Sequence, residues 1–210
     1  MDLFPEYTDK SSPGLPLAAR MRPDTLEKYF GQEHLIRKGL PLRELIETDS
    51  GLSYILWGPP GTGKTTLARI SANLTKSEFH EISAVNAGVS DIRKVVQSAT
   101  QSWKSKGTRT ILFLDEIHRF NKTQQDAVLP YVENGTIRLI GSTTENPSFE
   151  VIPALRSRCQ TFRLDPLDRG SIRNIILSAL TDKENGLGNS KIALQEEAQE
   201  LIVSYANGDA

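Results

Sequence analysis

The segment Gly58-Pro59-Pro60-Gly61-Thr62-Gly63-Lys64-Thr65 places three glycines, a lysine and a hydroxyl residue where a polyphosphate can be held. Glycines let backbone N–H groups close around phosphate oxygens, and a following helix presents its positive end to the same anion. Lys64 would reach the β- and γ-phosphates of ATP, the Thr65 hydroxyl would ligate Mg²⁺, and contacts extend to Thr66. The plain alternative is a Gly/Pro turn with an incidental Lys-Thr, but the flanking apolar run and helical pattern argue against it. Some fifty residues on, Leu112-Phe113-Leu114 ends in Asp115-Glu116. An aspartate there would help hold the metal, and a neighbouring glutamate would polarise the attacking water. Solvated acids at a strand end are the bland reading, weakened by the phosphate loop upstream.

Two further segments follow. Gly141-Ser142-Thr143-Thr144 closes another apolar run, and a hydroxyl there, with Thr144 preferred over Thr143, is placed to sense the γ-phosphate or orient water. Leu155-Arg156-Ser157-Arg158-Cys159 carries two arginines; spacing alone makes it a solvated basic loop. The histidines His34, His80 and His118 are scattered, and with one cysteine they form no metal-ligand pattern. His118 reads as a residue of local structural use, Cys159 as a packed thiol, and Trp57 and Trp103 as core or semi-buried aromatics. Lys104, Lys106 and Arg109 read as a solvated turn rather than a phosphate contact.

These groups need a scaffold. Strand-like runs at Tyr54–Trp57, Phe79–Ser83, Ile111–Leu114, Ile137–Ile140 and Thr161–Leu164 alternate with helical patterns at Lys64–Leu74, Ser90–Trp103 and Asn121–Val132, the last bent or shortened by Pro130. Strand–helix alternation predicts an α/β fold, a parallel sheet flanked by helices, with both motifs at its C-terminal edge. Residues 1–16 read as a flexible tail, 17–165 as the α/β domain, and 166–210 as the start of a small helical domain with helices at Ser171–Leu180 and Gln195–Ala206. With 25 basic and 26 acidic residues the net charge is −1, so bulk charge makes no case for nucleic acid. No apolar run spans a bilayer, and the N-terminus lacks a signal-peptide pattern. A soluble cytoplasmic chain with no membrane partner is expected.

The strings Met21-Arg22-Pro23, Phe30-Gly31-Gln32, Trp57-Gly58-Pro59-Pro60 and Asp115–Lys122 resemble the AAA+ P-loop ATPases of the clamp-loader clade. More narrowly, residues 119–126 and 141–149 resemble the replication-associated recombination protein A family, the bacterial RarA/MgsA group, whose eukaryotic relatives interact with the Werner helicase. The resemblance runs from about Leu17 to Ala210. It implies a DNA-dependent ATPase of replication-fork maintenance, recombination and repair, nucleoid-associated, acting on DNA ends, gaps or forks. It also implies a homo-oligomer, a tetramer in characterised members, with single-stranded DNA-binding protein and replisome components as further partners. Arg158 then matches an arginine finger that completes a neighbouring subunit's site. Arg22, Pro23, Phe30, Gly31 and Gln32 match the segment around adenine, and Ser83 falls where a polar residue can restrain the catalytic Glu116.

In that family Asn207-Gly208-Asp209-Ala210 is followed by the second sensor arginine, so the helical lid is expected to be incomplete here. Weak nucleotide binding, poor hydrolysis and a largely monomeric state are expected of these 210 residues alone. Three other functions use the same residues: a clamp-loader subunit, a branch-migration motor of the RuvB sort, and a nucleotide-gated adaptor. Arg93, Lys94 and Lys122 are candidate DNA contacts, with solvated surface the plainer reading of each.

Overall fold

Five short strand-forming runs pair into one parallel sheet. In the computed structural model, which describes residues 14–210, they are β1 (Ser53–Trp57), β2 (Glu78–Ser83), β3 (Thr110–Asp115), β4 (Arg138–Thr143) and β5 (Cys159–Arg163). Their spatial order is β2-β3-β4-β1-β5, and every neighbouring pair is parallel. The three central strands are buried almost throughout, which is why they read as unbroken apolar runs, whereas the edge strands β2 and β5 are mostly half-exposed. The expected tail falls mainly in residues 1–13, outside the described residues.

Alternate side chains on each strand enter opposite faces. Tyr54, Leu56, Ile111, Phe113 and Ile140 pack with Leu42 and Ile46 of α1 (Pro41–Glu47) and with Leu67 and Ile70 of α2 (Lys64–Thr75). Ile55, Leu112, Leu114 and Leu139 pack with Ile92, Val95 and Ala99 of α3 (Val89–Lys106). Two apolar layers thus clamp the sheet, and its polar strand ends are left to carry chemistry. After Pro166, α4 (Arg169–Thr181) and α5 (Glu196–Ala206) share a small cluster of Leu167, Ile172 and Val203. Asp168 caps α4 by accepting from Ser171 N at 2.6 Å.

The single helix expected over Asn121–Val132 is two, Lys122–Asp126 and Leu129–Glu133. Asn121 and Gln124 form a reciprocal capping box at 2.9 Å on each side. Pro130 cannot donate within a continuous helix and its ring opposes the carbonyl four residues back, so the chain re-starts at Leu129. Trp103 is 56% exposed and belongs to neither core. Among the described residues, no helix is long and apolar enough to cross a membrane.

Candidate nucleotide site

β1 lies between β4 and β5, so the loop leaving it emerges between two other strand ends. Gly58 N donates to Thr143 O at 3.1 Å, and a Cβ on Gly58 would fall 2.3 Å from Leu164 O. The chain just after β5 leaves no room there for a side chain. Further on, Gly63 has φ +92° and precedes α2; a Cβ there would fall 2.2 Å from the Tyr29 hydroxyl. Tyr29 OH donates to Thr62 O at 2.9 Å, and Thr62 Oγ1 donates to Pro59 O at 2.9 Å. The loop is therefore tied both to itself and to the N-terminal segment. The first-turn N–H groups of α2 face into it with no carbonyl inside the helix to take them.

Lys64 is buried, and its Nζ donates to Gly58 O at 2.8 Å and Pro59 O at 2.7 Å. Burial pushes its ammonium below the ordinary lysine range, while the Glu116, Asp115 and Asp209 carboxylates pull it back up. The loop follows β1 and the acids end β3, the strands on either side of β4, so both lie at the same sheet edge. Asp209 packs directly on the loop: a Cβ on Gly61 would meet its Oδ1, and Ala210 N donates to Gly61 O at 3.3 Å.

The acids are built differently. Leu114 pairs with Gly141 in the β3–β4 ladder, so Asp115 and Ser142 come next in register, and Ser142 Oγ donates to Asp115 Oδ1. Glu116 has φ +54°, a left-handed turn that costs a non-glycine residue about 1–2 kcal/mol. Its amide donates to Ser142 Oγ at 3.4 Å, and Thr144 Oγ1 donates to its Oε2 at 3.4 Å. His118 Nδ1 lies 3.1 Å from the same Oε2 and 3.0 Å from Thr143 Oγ1. Ser142 thus serves Asp115 and the Glu116 amide, Thr143 meets His118, and Thr144 meets the Glu116 carboxylate. Thr65 and Asp115 offer only oxygen, a donor set that suits Mg²⁺, which keeps its waters and phosphate ligands and needs few protein groups.

A cavity of about 480 Å³ opens beside the loop, within the range of small-molecule sites. Gly61 to Thr66, Arg22, Pro23, Tyr29, Phe30 and, from α4, Ile175 and Ile176 line it. Gly58, Pro59 and Pro60 lie outside that lining. So do Gly31 and Gln32, expected near adenine. Gly31 (φ +86°) is buried against Leu167, and the Gln32 amide donates to Asp165 O at 2.7 Å and accepts from Asp165 N at 3.0 Å. Both fasten the N-terminal segment to the chain after β5. A shallower hollow of about 540 Å³ on α3, lined by Val96, Thr100 and Lys104, contains none of the acid or loop groups.

Arg158 stands apart. Cys159 pairs with Ser53, the first residue of β1, whereas the phosphate loop follows Trp57, the last. The arginine therefore lies at the opposite edge of the sheet, roughly 15 Å of strand away at ~3.3 Å per residue. There it pairs with Glu133 and donates to Ala154 O at 2.7 Å. Ser83 is exposed beside Asp115 and makes no side-chain hydrogen bond to Glu116 among the described residues. Arg93, Lys94 and Lys122 are exposed, and Lys94 pairs with Asp91 at 3.0 Å. Tyr29, Ser142 and His118 are the functional candidates that residue spacing did not single out; each is found by its contact to the loop or an acid.

A model of the ATPase family associated with various cellular activities (AAA) matches residues 54–167. The chain is 50% identical over 195 residues to the replication-associated recombination protein A of Escherichia coli K12, covering 93% of this chain and 43% of that protein. It is 42% identical over 195 residues to the ATPase WRNIP1 of Dictyostelium discoideum, covering 93% and 22%. Among solved structures it resembles the Thermotoga maritima RuvB Holliday junction branch migration motor, with TM-score 0.70 and 29% identity, covering 90% of this chain and 61% of that one. The chain spans less than half the length of the curated relatives it matches.

Proposed function

The chain belongs to the AAA ATPase family and, within it, to the group of the replication-associated recombination protein A and WRNIP1 ATPases, and from that premise we propose that it is the ATP-hydrolysing part of a DNA-dependent machine of fork maintenance, recombination and repair. The observation that carries the hydrolytic half is that the phosphate loop leaves β1 and Asp115-Glu116 ends β3, the two strands that flank β4, at the same edge of the sheet. Lys64 and the loop amides bind the phosphates of ATP. Thr65 and Asp115 would hold Mg²⁺, whose chemistry there is to neutralise charge on the phosphate oxygens. Glu116 takes a proton from the attacking water, Thr144 reads the γ-phosphate, and Arg22, Pro23 and Phe30 face the base.

Arg158 acts in trans in this reading. Its place at the far edge of the sheet keeps it from its own loop and leaves it for the next subunit of a homo-oligomer. Arg158→Ala in the full-length protein should cut turnover by ~10³-fold or more, as loss of an arginine finger does. Turnover within a few-fold of wild type would remove Arg158 from that role.

The DNA half rests on the 50% identity to the Escherichia coli protein. ATPase rates of the full-length protein with gapped and forked DNA, across a salt series, test it. Stimulation that falls steeply with salt is expected; turnover indifferent to DNA would sink it. The RuvB likeness supports a second reading, a ring motor moving along DNA. Directional, ATP-driven strand displacement would favour that one.

A further inference from the structure

Glu116 is the least ordinary residue of the site, because a non-glycine residue in the left-handed region persists only where its surroundings hold it. What holds it is visible. Immediately after it, Ile117–Arg119 form one 3₁₀ turn, with Arg119 N donating to Glu116 O at 2.8 Å. Ile117 is fully buried and Phe120 nearly so, and Ile117 packs toward Gly141 and Ile55. Two apolar anchors thus bracket His118, and its imidazole, only 10% exposed, folds back beneath the Glu116 carboxylate.

The proton on that ring can be assigned from its neighbours. Thr143 Oγ1 donates its one proton to Glu145 O at 3.2 Å and accepts from Glu145 N at 2.9 Å. It is thus free to accept from His118, and an ionised Glu116 carboxylate, 3.1 Å from Nδ1, can only accept. Nδ1 must carry the hydrogen and share it between Thr143 Oγ1 and Glu116 Oε2. Oε2 also receives the Thr144 hydroxyl. Among the described residues Oε1 has no hydrogen-bond partner. One carboxylate oxygen is pinned from two sides and the other is left for water.

We propose that His118 is the positioning residue of the catalytic glutamate: its Nδ1–H fixes Oε2 of Glu116 so that Oε1 takes the proton of the attacking water. That proton passes to Oε1 as the water oxygen bonds to the γ-phosphorus and the β–γ bridging bond breaks to release ADP. The inference rests on the reading of Glu116 as the general base. It assigns to His118 the restraint that the resemblance would give to Ser83, which makes no side-chain hydrogen bond to the glutamate among the described residues.

The test uses the full-length protein with His118→Ala, His118→Asn and His118→Gln, each alone and with Glu116→Gln. Partners that orient a metal-ligating side chain are worth about 10–100-fold in activity, and a partner that orients a general base is expected to act on the same scale. His118→Ala should therefore lower kcat by roughly that factor while Kd for a fluorescent ATP analogue stays within about twofold. An asparagine amide can stand in for Nδ1–H whereas glutamine reaches to Nε2, so Asn should restore kcat to within a few-fold of wild type and Gln should not. In the Glu116→Gln background, His118→Ala should change residual turnover by less than about twofold. Should the alanine variant fail to fold, the Asn–Gln contrast carries the result. Wild-type kcat in His118→Ala, equal loss in Asn and Gln, or a full additional loss on top of Glu116→Gln would each overturn the proposal while Glu116 keeps its role. Near-normal turnover in Glu116→Gln alone overturns the general-base reading and this inference with it.

Discussion

The two halves of the site are made of different materials. The phosphate loop is backbone, eight consecutive residues closed by Tyr29 and by Lys64 on its own carbonyls. The acid half is side chains from two strand ends and a turn: Asp115, Glu116 and His118 against Ser142, Thr143 and Thr144. A backbone cradle depends on where glycine is allowed, so it is specified locally. A side-chain cluster depends on which strand lies beside which, so it is specified by the sheet. Binding should accordingly fail through the first half and chemistry through the second.

The largest separation is expected from Glu116→Gln. Loss of a general base costs about 10²–10⁴-fold in rate, so single-turnover hydrolysis should fall by at least ~10²-fold with nucleotide affinity retained. Parallel loss of affinity would show that the halves are not separable. Gly63→Ala is the converse probe. At φ +92°, with Tyr29 in the way, an alanine costs about 1–2 kcal/mol in strain. Equilibrium titration should show roughly tenfold weaker ATP binding, with kcat at saturating ATP altered by less than about threefold. The smallest effect belongs to Tyr29→Phe, which removes one hydrogen bond to Thr62 O. That bond is worth about 0.5–1.5 kcal/mol, so a loss of that size in unfolding free energy from denaturant titration and a two- to tenfold weaker Kd are expected. A fall in kcat instead would place Tyr29 in the chemistry and blur the contrast.

Legibility followed the same division. The loop, its helix and the five strands were readable because their signals are local: glycine spacing, apolar runs, polar punctuation. Thr144 could be placed near the acids from the position of its strand end, and its hydroxyl does meet Glu116. Ser142 lay in the same string, yet only the β3–β4 register puts it on Asp115. His118 looked like a residue of local use because nothing in Glu116-Ile117-His118 announces a left-handed residue that folds the ring back. Gln32 belongs to the string beside Phe30, and only the fold shows that its amide bonds Asp165, 133 residues away, and reaches Thr62 O of the loop at 3.5 Å. The helix after Asn121 shows the limit from the other side: Pro130 announced the break, and the capping box fixed only the start.

The sequence by itself determined the chemistry on offer here, a glycine-rich loop after a strand, a lysine, a neighbouring hydroxyl and adjacent acids, because each requires particular residue types at short spacing. The family group followed from longer strings of the same kind. Tertiary structure alone decided which hydroxyl serves which acid, that His118 faces Glu116, and that Arg158 stands at the edge of the sheet away from its own loop. Those relations belong to strand order and register, which pair residues far apart in the chain, and short spacing carries no record of them.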